Sequence, residues 1–182
     1  MTRRTALALI AFALATQGAS SCANTTVSTP SSPGESGSGS GAQGAPKTAR
    51  VGDTLTLQGT HNTMKVTVLR VFPTSGGQID TPAAGTHYVG VQLRIRNVGS
   101  QTYSDAPSNG AHIISSTDEQ ANSTILGGGE CSGGISSSVS IAPGGARAGC
   151  IPFEVKNDQR AKQFQLGLDS GFGPQTGQWT LR

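Results

Sequence analysis

The sequence is poor in the residues from which a large packed core is made. Of 182 residues, 34% are hydrophobic, 4% aromatic and 13% charged. Ordinary globular chains run nearer ~45–50% apolar and ~25% charged. This scarcity excludes one large, richly packed catalytic core. No stretch keeps an i, i+3, i+4 apolar pattern for three turns, so an α-helical domain is excluded as well. No apolar run approaches the ~20 residues that a membrane-spanning helix requires. Basic residues do not cluster along the chain either. There are thirteen basic against ten acidic residues, a formal net charge of +3, and two of the basic ones are Arg3 and Arg4 at the extreme N-terminus. The others are scattered from Lys47 to Arg182 with no basic run. Nucleic-acid binding rests on many clustered phosphate contacts, so no nucleic-acid partner is expected.

What is present begins with an address. Arg3 and Arg4 precede the ten-residue apolar run Ala6–Ala15, the form of a secretory signal. Gln17-Gly18-Ala19-Ser20-Ser21-Cys22 follows. Small residues directly before a cysteine resemble the bacterial lipobox, in which that cysteine is diacylated and becomes the first mature residue. Ala19 stands where the motif usually has a bulky aliphatic residue. The alternative is plain signal cleavage, for example after Ala23, and free secretion. Cys22 is thus the candidate lipidation site. The expected location is the outer face of a bacterial cell membrane, with the membrane itself a partner through the lipid.

Three cysteines, Cys22, Cys131 and Cys150, are an odd count for an exported chain. Acylation of Cys22 leaves one pair outside the cytoplasm, where disulfides persist. A Cys131–Cys150 bridge is expected; two free thiols holding a metal are the alternative. Residues 23–47 hold Val27 as their only large apolar side chain. Such a segment reads as a flexible tether, spanning about 27 Å as a coil and about 85 Å stretched. The organisation is therefore a signal peptide over 1–21, acylated cysteine and linker over 22–47, and one domain over 48–182.

Within that domain apolar residues alternate with polar ones. Val89, Val91, Leu93 and Ile95 are the clearest set; Thr54–Gln58, Met64–Val68, Ile151–Val155, Phe164–Leu168 and Trp179–Leu181 repeat the pattern, with shorter candidates at Ala111–Ser116 and Ser136–Ile141. A change of phase after Val68 predicts a bulge near Leu69-Arg70. Seven to nine short strands separated by Gly/Pro turns, each polar on one face, predict an all-β antiparallel sandwich. One apolar face per strand is enough to build its core.

Two stretches carry a family likeness. Tyr88–Gly99 is a strand ending in Asn97-Val98-Gly99, and Ile141–Val155 is a Pro143-Gly144 turn feeding a second strand. Together they resemble the domain-of-unknown-function family 4352. That family has an immunoglobulin-like extracellular domain found in surface lipoproteins of actinobacteria and firmicutes, related to the mycobacterial immunoprotective antigen fold. The resemblance implies fold and location, with no agreed activity and no catalytic residues. Asn97 and Gly99 are expected to end their strand through tolerance of positive φ, and Pro143-Gly144 to form a type II turn.

Other constellations point to chemistry only weakly. His61 and Met64, joined by His87 or His112, are a soft donor set of the kind that suits Cu(I). Met64 is the only methionine after the initiator, which argues for a core residue instead. Asp169-Ser170-Gly171 resembles the nucleophile loop of chymotrypsin-like proteases but has no histidine in the required context, so a turn is expected. Gly127–Gly134 offers an anion nest or, more simply, a mobile loop pinned by Cys131. The reading is a non-enzymatic binding module without cofactor, its partner a protein or a cell-wall glycan met by the loops 73–85, 100–110 and 127–134. The competing reading is a secreted metal carrier or small enzyme using His61, His87 and His112.

Overall fold

The computed structural model describes residues 48–135 and 137–181. The expected signal peptide, the candidate anchor Cys22 and the expected linker fall outside the described residues.

Among the described residues eleven strands form the domain: β1 (Ala49–Arg50), β2 (Thr54–Gln58), β3 (Thr63–Thr74), β4 (Thr86–Asn97), β5 (Tyr103–Asp105), β6 (Ala111–Ser115), β7 (Gln120–Asn122), β8 (Val139–Ile141), β9 (Ala146–Lys156), β10 (Ala161–Gly167) and β11 (Thr176–Thr180). No α-helix occurs among the described residues; two 3-10 turns cover Pro107–Gly110 and Asp169–Gly171. One sheet has the order β1-β11-β10-β6-β7, the other β2-β3-β4-β9, and β5-β8 is a separate ribbon. Every pairing is antiparallel except β1 with β11. The two sheets stack as a β-sandwich. On one side the sandwich is joined by a Ser123–Phe153 bridge and by the Thr124 N–H donating to the Pro152 carbonyl at 2.9 Å.

Alternation explains the core. Met64, Val66 and Val68 of β3 face Leu93 and Ile95 of β4, and all are fully buried. From the other sheet come Ile113, Phe164, Leu166 and Trp179. Phe153 meets Phe164 edge-on at 6.0 Å across the sheets, and Phe164 meets Trp179 at 5.7 Å. Such aromatic contacts add to the large apolar area each ring buries. The Trp179 indole N–H donates to the Asp53 carbonyl at 3.2 Å, so its one polar group is satisfied in the core. The register shift lies between Val68 and Arg70, where the change of phase placed the bulge.

The two stretches of the family likeness are physically joined. Gly145 N–H donates to the Ala142 carbonyl at 2.9 Å with Gly144 at φ +77°, the geometry of the expected type II turn. Asn97 holds that turn by another means than the one expected. Neither it nor Gly99 takes positive φ. Instead the buried Asn97 amide donates to the carbonyls of Gln101 at 2.7 Å and Ile141 at 2.9 Å, and its oxygen accepts from Gly99 N–H at 2.9 Å. Asparagine ends the strand here through its amide, because it satisfies three backbone groups at once.

Candidate interaction surface

The Cys131–Cys150 disulfide forms, with Cα atoms 5.1 Å apart. Its position follows from strand parity. Cys150 pairs with Gln92, so its side chain points away from the core, onto the outer face of the four-stranded sheet. The bridge therefore draws the chain around Cys131 down onto that face. Gly90 makes room for it. A Cβ there would lie 2.9 Å from Phe72 Cζ, 3.0 Å from Cys150 Sγ and 3.2 Å from Cys131 Sγ. Tyr88, Leu126, Cys131 and Cys150 form a second small core with Phe72 against it. Arg70 lies over the Phe72 ring, 4.1 Å from its centroid, and pairs with Glu130.

A second loop joins this one. Gly127 N–H donates to Asp80 Oδ2 at 2.5 Å, and Gly77 and Gly128 lie so close that a Cβ on Gly128 would meet the Gly76 carbonyl oxygen at 2.7 Å. The glycine-rich segment is thus pinned by Cys131, as expected, and packs in addition against the 73–85 loop. The N–H offered to an anion is filled by the chain's own Asp80 carboxylate. On these adjoining loops Ile79 is 78% and Ile125 79% exposed. Of the three loops expected to make contact, 73–85 and 127–134 converge. The third, 100–110, leaves the far end of β4, eleven residues or roughly 36 Å away. Burial, then the charges of Glu154 and Asp80, raises the Tyr88 hydroxyl above its usual range, so this ring stays neutral at the base of the loops.

The turn containing Ser170 is a lock. Asp105 Oδ1 accepts from the Ser170 hydroxyl at 2.7 Å, and Oδ2 accepts from Ser170 N–H at 3.0 Å and from the Tyr103 hydroxyl at 2.7 Å. Asp169, Ser170 and Gly171 all have positive φ, a strained run that these bonds and the Thr60 N–H to Asp169 Oδ2 contact at 2.5 Å hold in place. Burial works to raise Asp105, but the hydrogen bonds from Tyr103, Ser170 and the Ala106 backbone outweigh it and lower its pKa. Asp105 is thus the ionised acceptor of the Ser170 proton, and no histidine completes a nucleophilic triad here, in line with the turn expected.

The histidines are dispersed. His61 is exposed in the β2–β3 turn, whereas Met64 is fully buried in the main core, which removes the thioether from any site with His61. His87 Nδ1 lies 3.3 Å from Asn157 Oδ1, near the start of β4, and His112 Nδ1 lies 3.1 Å from Asn122 Oδ1 on the other sheet. No group of three His, Cys, Asp or Glu able to hold a metal occurs among the described residues.

Sequence reasoning included Ile79 and Asp80 in the 73–85 contact loop without singling them out, and passed over Ile125. Nothing in a linear pattern marks an apolar residue in a loop as exposed rather than tucked inward.

A two-sheet sandwich with a disulfide-held loop on one outer face defines a β-sandwich domain as the class. More particularly, the chain belongs to the family described as Domain of unknown function (DUF4352), which matches residues 49–175. No curated protein matches the chain. Among solved structures it is similar to MPT63, a secreted protein from Mycobacterium tuberculosis, with a TM-score of 0.51, 14% identity, and coverage of 75% of this chain and 98% of that one. It is also similar to YcdA from Bacillus subtilis, described as a candidate lipoprotein, with a TM-score of 0.50, 15% identity, and coverage of 69% of this chain and 38% of that one. At these identities the likeness is one of fold.

Proposed function

We propose that the protein is a non-catalytic binding domain held on the outer face of a bacterial cell membrane by lipid on Cys22. The observation that carries the binding reading is the pair of exposed isoleucines, Ile79 and Ile125, on two loops tied down by the disulfide and by the Gly127–Asp80 hydrogen bond. Apolar side chains on pre-ordered loops lose little entropy when covered by a partner. The partner class is a protein with an apolar patch. Support for the location comes from the signal-like N-terminus, the disulfide, and the fold shared with a secreted protein and a candidate lipoprotein. Support for a non-catalytic role comes from the separation of the histidines and the ionised, hydrogen-bonded state of Asp105 beside Ser170.

The test is capture from envelope extract with the full chain and with an I79D/I125D variant. A protein retained by the first and lost by the second supports the reading. Equal retention by both, or none by either, overturns it. Intact mass of the mature protein tests the anchor: a species lacking acyl chains, or one beginning elsewhere than Cys22, removes it.

A further inference from the structure

Strand register assembles a charged surface that the linear sequence does not display. On the outer face of the four-stranded sheet, Lys65 of β3 lies opposite Arg96 of β4, and Thr67 opposite Arg94. Flanking them, Thr56 and Thr54 of β2 pair with Lys65 and Thr67, while Ala146 and Ala148 of β9 pair with Arg96 and Arg94. These eight side chains share the face away from the core, since Met64, Val66, Leu93 and Ile95 between them are buried. Three of the eight are cations and none is acidic. Lys65, Arg94 and Arg96 are all exposed. The ion pairs among the described residues are made by Arg70, Lys156 and Lys162 instead.

Two physical facts bear on what this surface meets. Like charges directly opposite each other destabilise a strand pair. Lys65 and Arg96 stand ~5 Å apart and Arg94 lies ~7 Å along the strand from Arg96, so an external anion relieves a repulsion that the domain itself leaves standing. Second, the face is stepped. Beyond Arg94 the disulfide-held loop rises over Phe72, Gly90 and Cys150. An extended polymer can lie along the strands at the foot of that step. The small Ala146 and Ala148 leave both guanidiniums open on the β9 side.

We propose that this open half of the sheet face binds a linear polyol-phosphate polymer, Arg94 meeting one phosphodiester and Arg96, with Lys65 opposite it, meeting the next. Successive charges on an extended three-carbon polyol phosphate recur at about the ~7 Å interval of side chains on one face of a strand. Arginine's planar fork matches phosphate oxygens in pairs. The Thr56 hydroxyl, and the Thr54–Thr67 hydroxyl pair at 2.6 Å, line the same track with hydrogen-bonding groups. This site lies apart from the isoleucine-bearing loops and rests on the preceding reading only for its extracellular location.

The experiment measures binding of the full chain to immobilised poly(glycerol phosphate), with a K65Q/R94Q/R96Q variant and a K162Q control from the other sheet. Expected are a loss of about tenfold or more in the triple variant at low salt, no change in K162Q, and a log–log salt slope of about 1.4 in magnitude for the wild type. No binding, or equal binding by the triple variant of unchanged melting temperature, overturns the proposal. So does a loss in the triple variant that appears only against phosphatidylglycerol vesicles or a polyuronate. The I79D/I125D variant keeps polymer binding, so failure here leaves the loop reading standing, and failure there leaves this one.

Discussion

At one end of the outer face of the four-stranded sheet, a disulfide, an aromatic ring and a folded loop lie on the strands. At the other end, three cations stand bare. The same strands β3, β4 and β9 run beneath both halves. The covered half gains stability from its outward residues: Phe72, Tyr88 and Cys150 find partners in Leu126 and Cys131. The bare half gains none, and the facing Lys65 and Arg96 cost some. Side chains that weaken their own sheet while lacking a partner within the domain are better understood by what they meet outside it. The comparison thus separates residues that build the domain from residues the domain displays.

The largest effect comes from opening the covered half. C131A/C150A releases a nineteen-residue separation and the second core; in the chain-entropy view this costs about 3 kcal/mol, or roughly 10 °C in melting temperature. Thermal unfolding checks it, and polymer binding on the bare half persists at temperatures where the variant is folded. Next is G90A. The added methyl meets the disulfide sulfurs and Phe72 at 3.2 Å or less, and overpacking of that kind costs about 1–3 kcal/mol. A148V, two residues from Cys150 on the bare half, leaves the melting temperature within about 2 °C. A loss for A148V equal to that for G90A would erase the contrast between the halves.

Acid unfolding gives a smaller, pH-dependent signal at the far end. Asp105 has its pKa lowered in the fold, so its contribution is complete above its unfolded pKa and fades as pH falls through the folded value. Stability therefore drops below about pH 4, and D105N flattens that part of the curve. A D105N profile parallel to wild type would refute the Asp105 lock. The smallest effect is of opposite sign. K65E replaces a repulsion across from Arg96 by an attraction and raises the melting temperature by about 1 °C at low salt, less at high salt. It weakens polymer binding all the same. A fall in melting temperature would show that Lys65 serves the fold.

Much of the domain was legible in the residues. The alternation at 89–95 located β4, the change of phase after Val68 located the bulge, and the Pro143-Gly144 pair located a turn of the expected type. These features are local: parity and φ are decided by a residue and its neighbours. The short β1, β5 and β7 were not anticipated, because strands of two or three residues have no period to detect. Asn97 was read as a backbone-tolerant residue and proved to be a hydrogen-bonding one, since its acceptors Gln101 and Ile141 are brought to it only by folding.

The sequence by itself determined the two-sided strands and the Cys131–Cys150 pair, because hydrophobic parity and cysteine number are written along the chain. Tertiary structure alone decided which loops converge, and that basic residues scattered from 65 to 96 stand side by side. Cross-strand register is a long-range quantity: it places residues thirty apart within ~5 Å, and no local pattern encodes that distance.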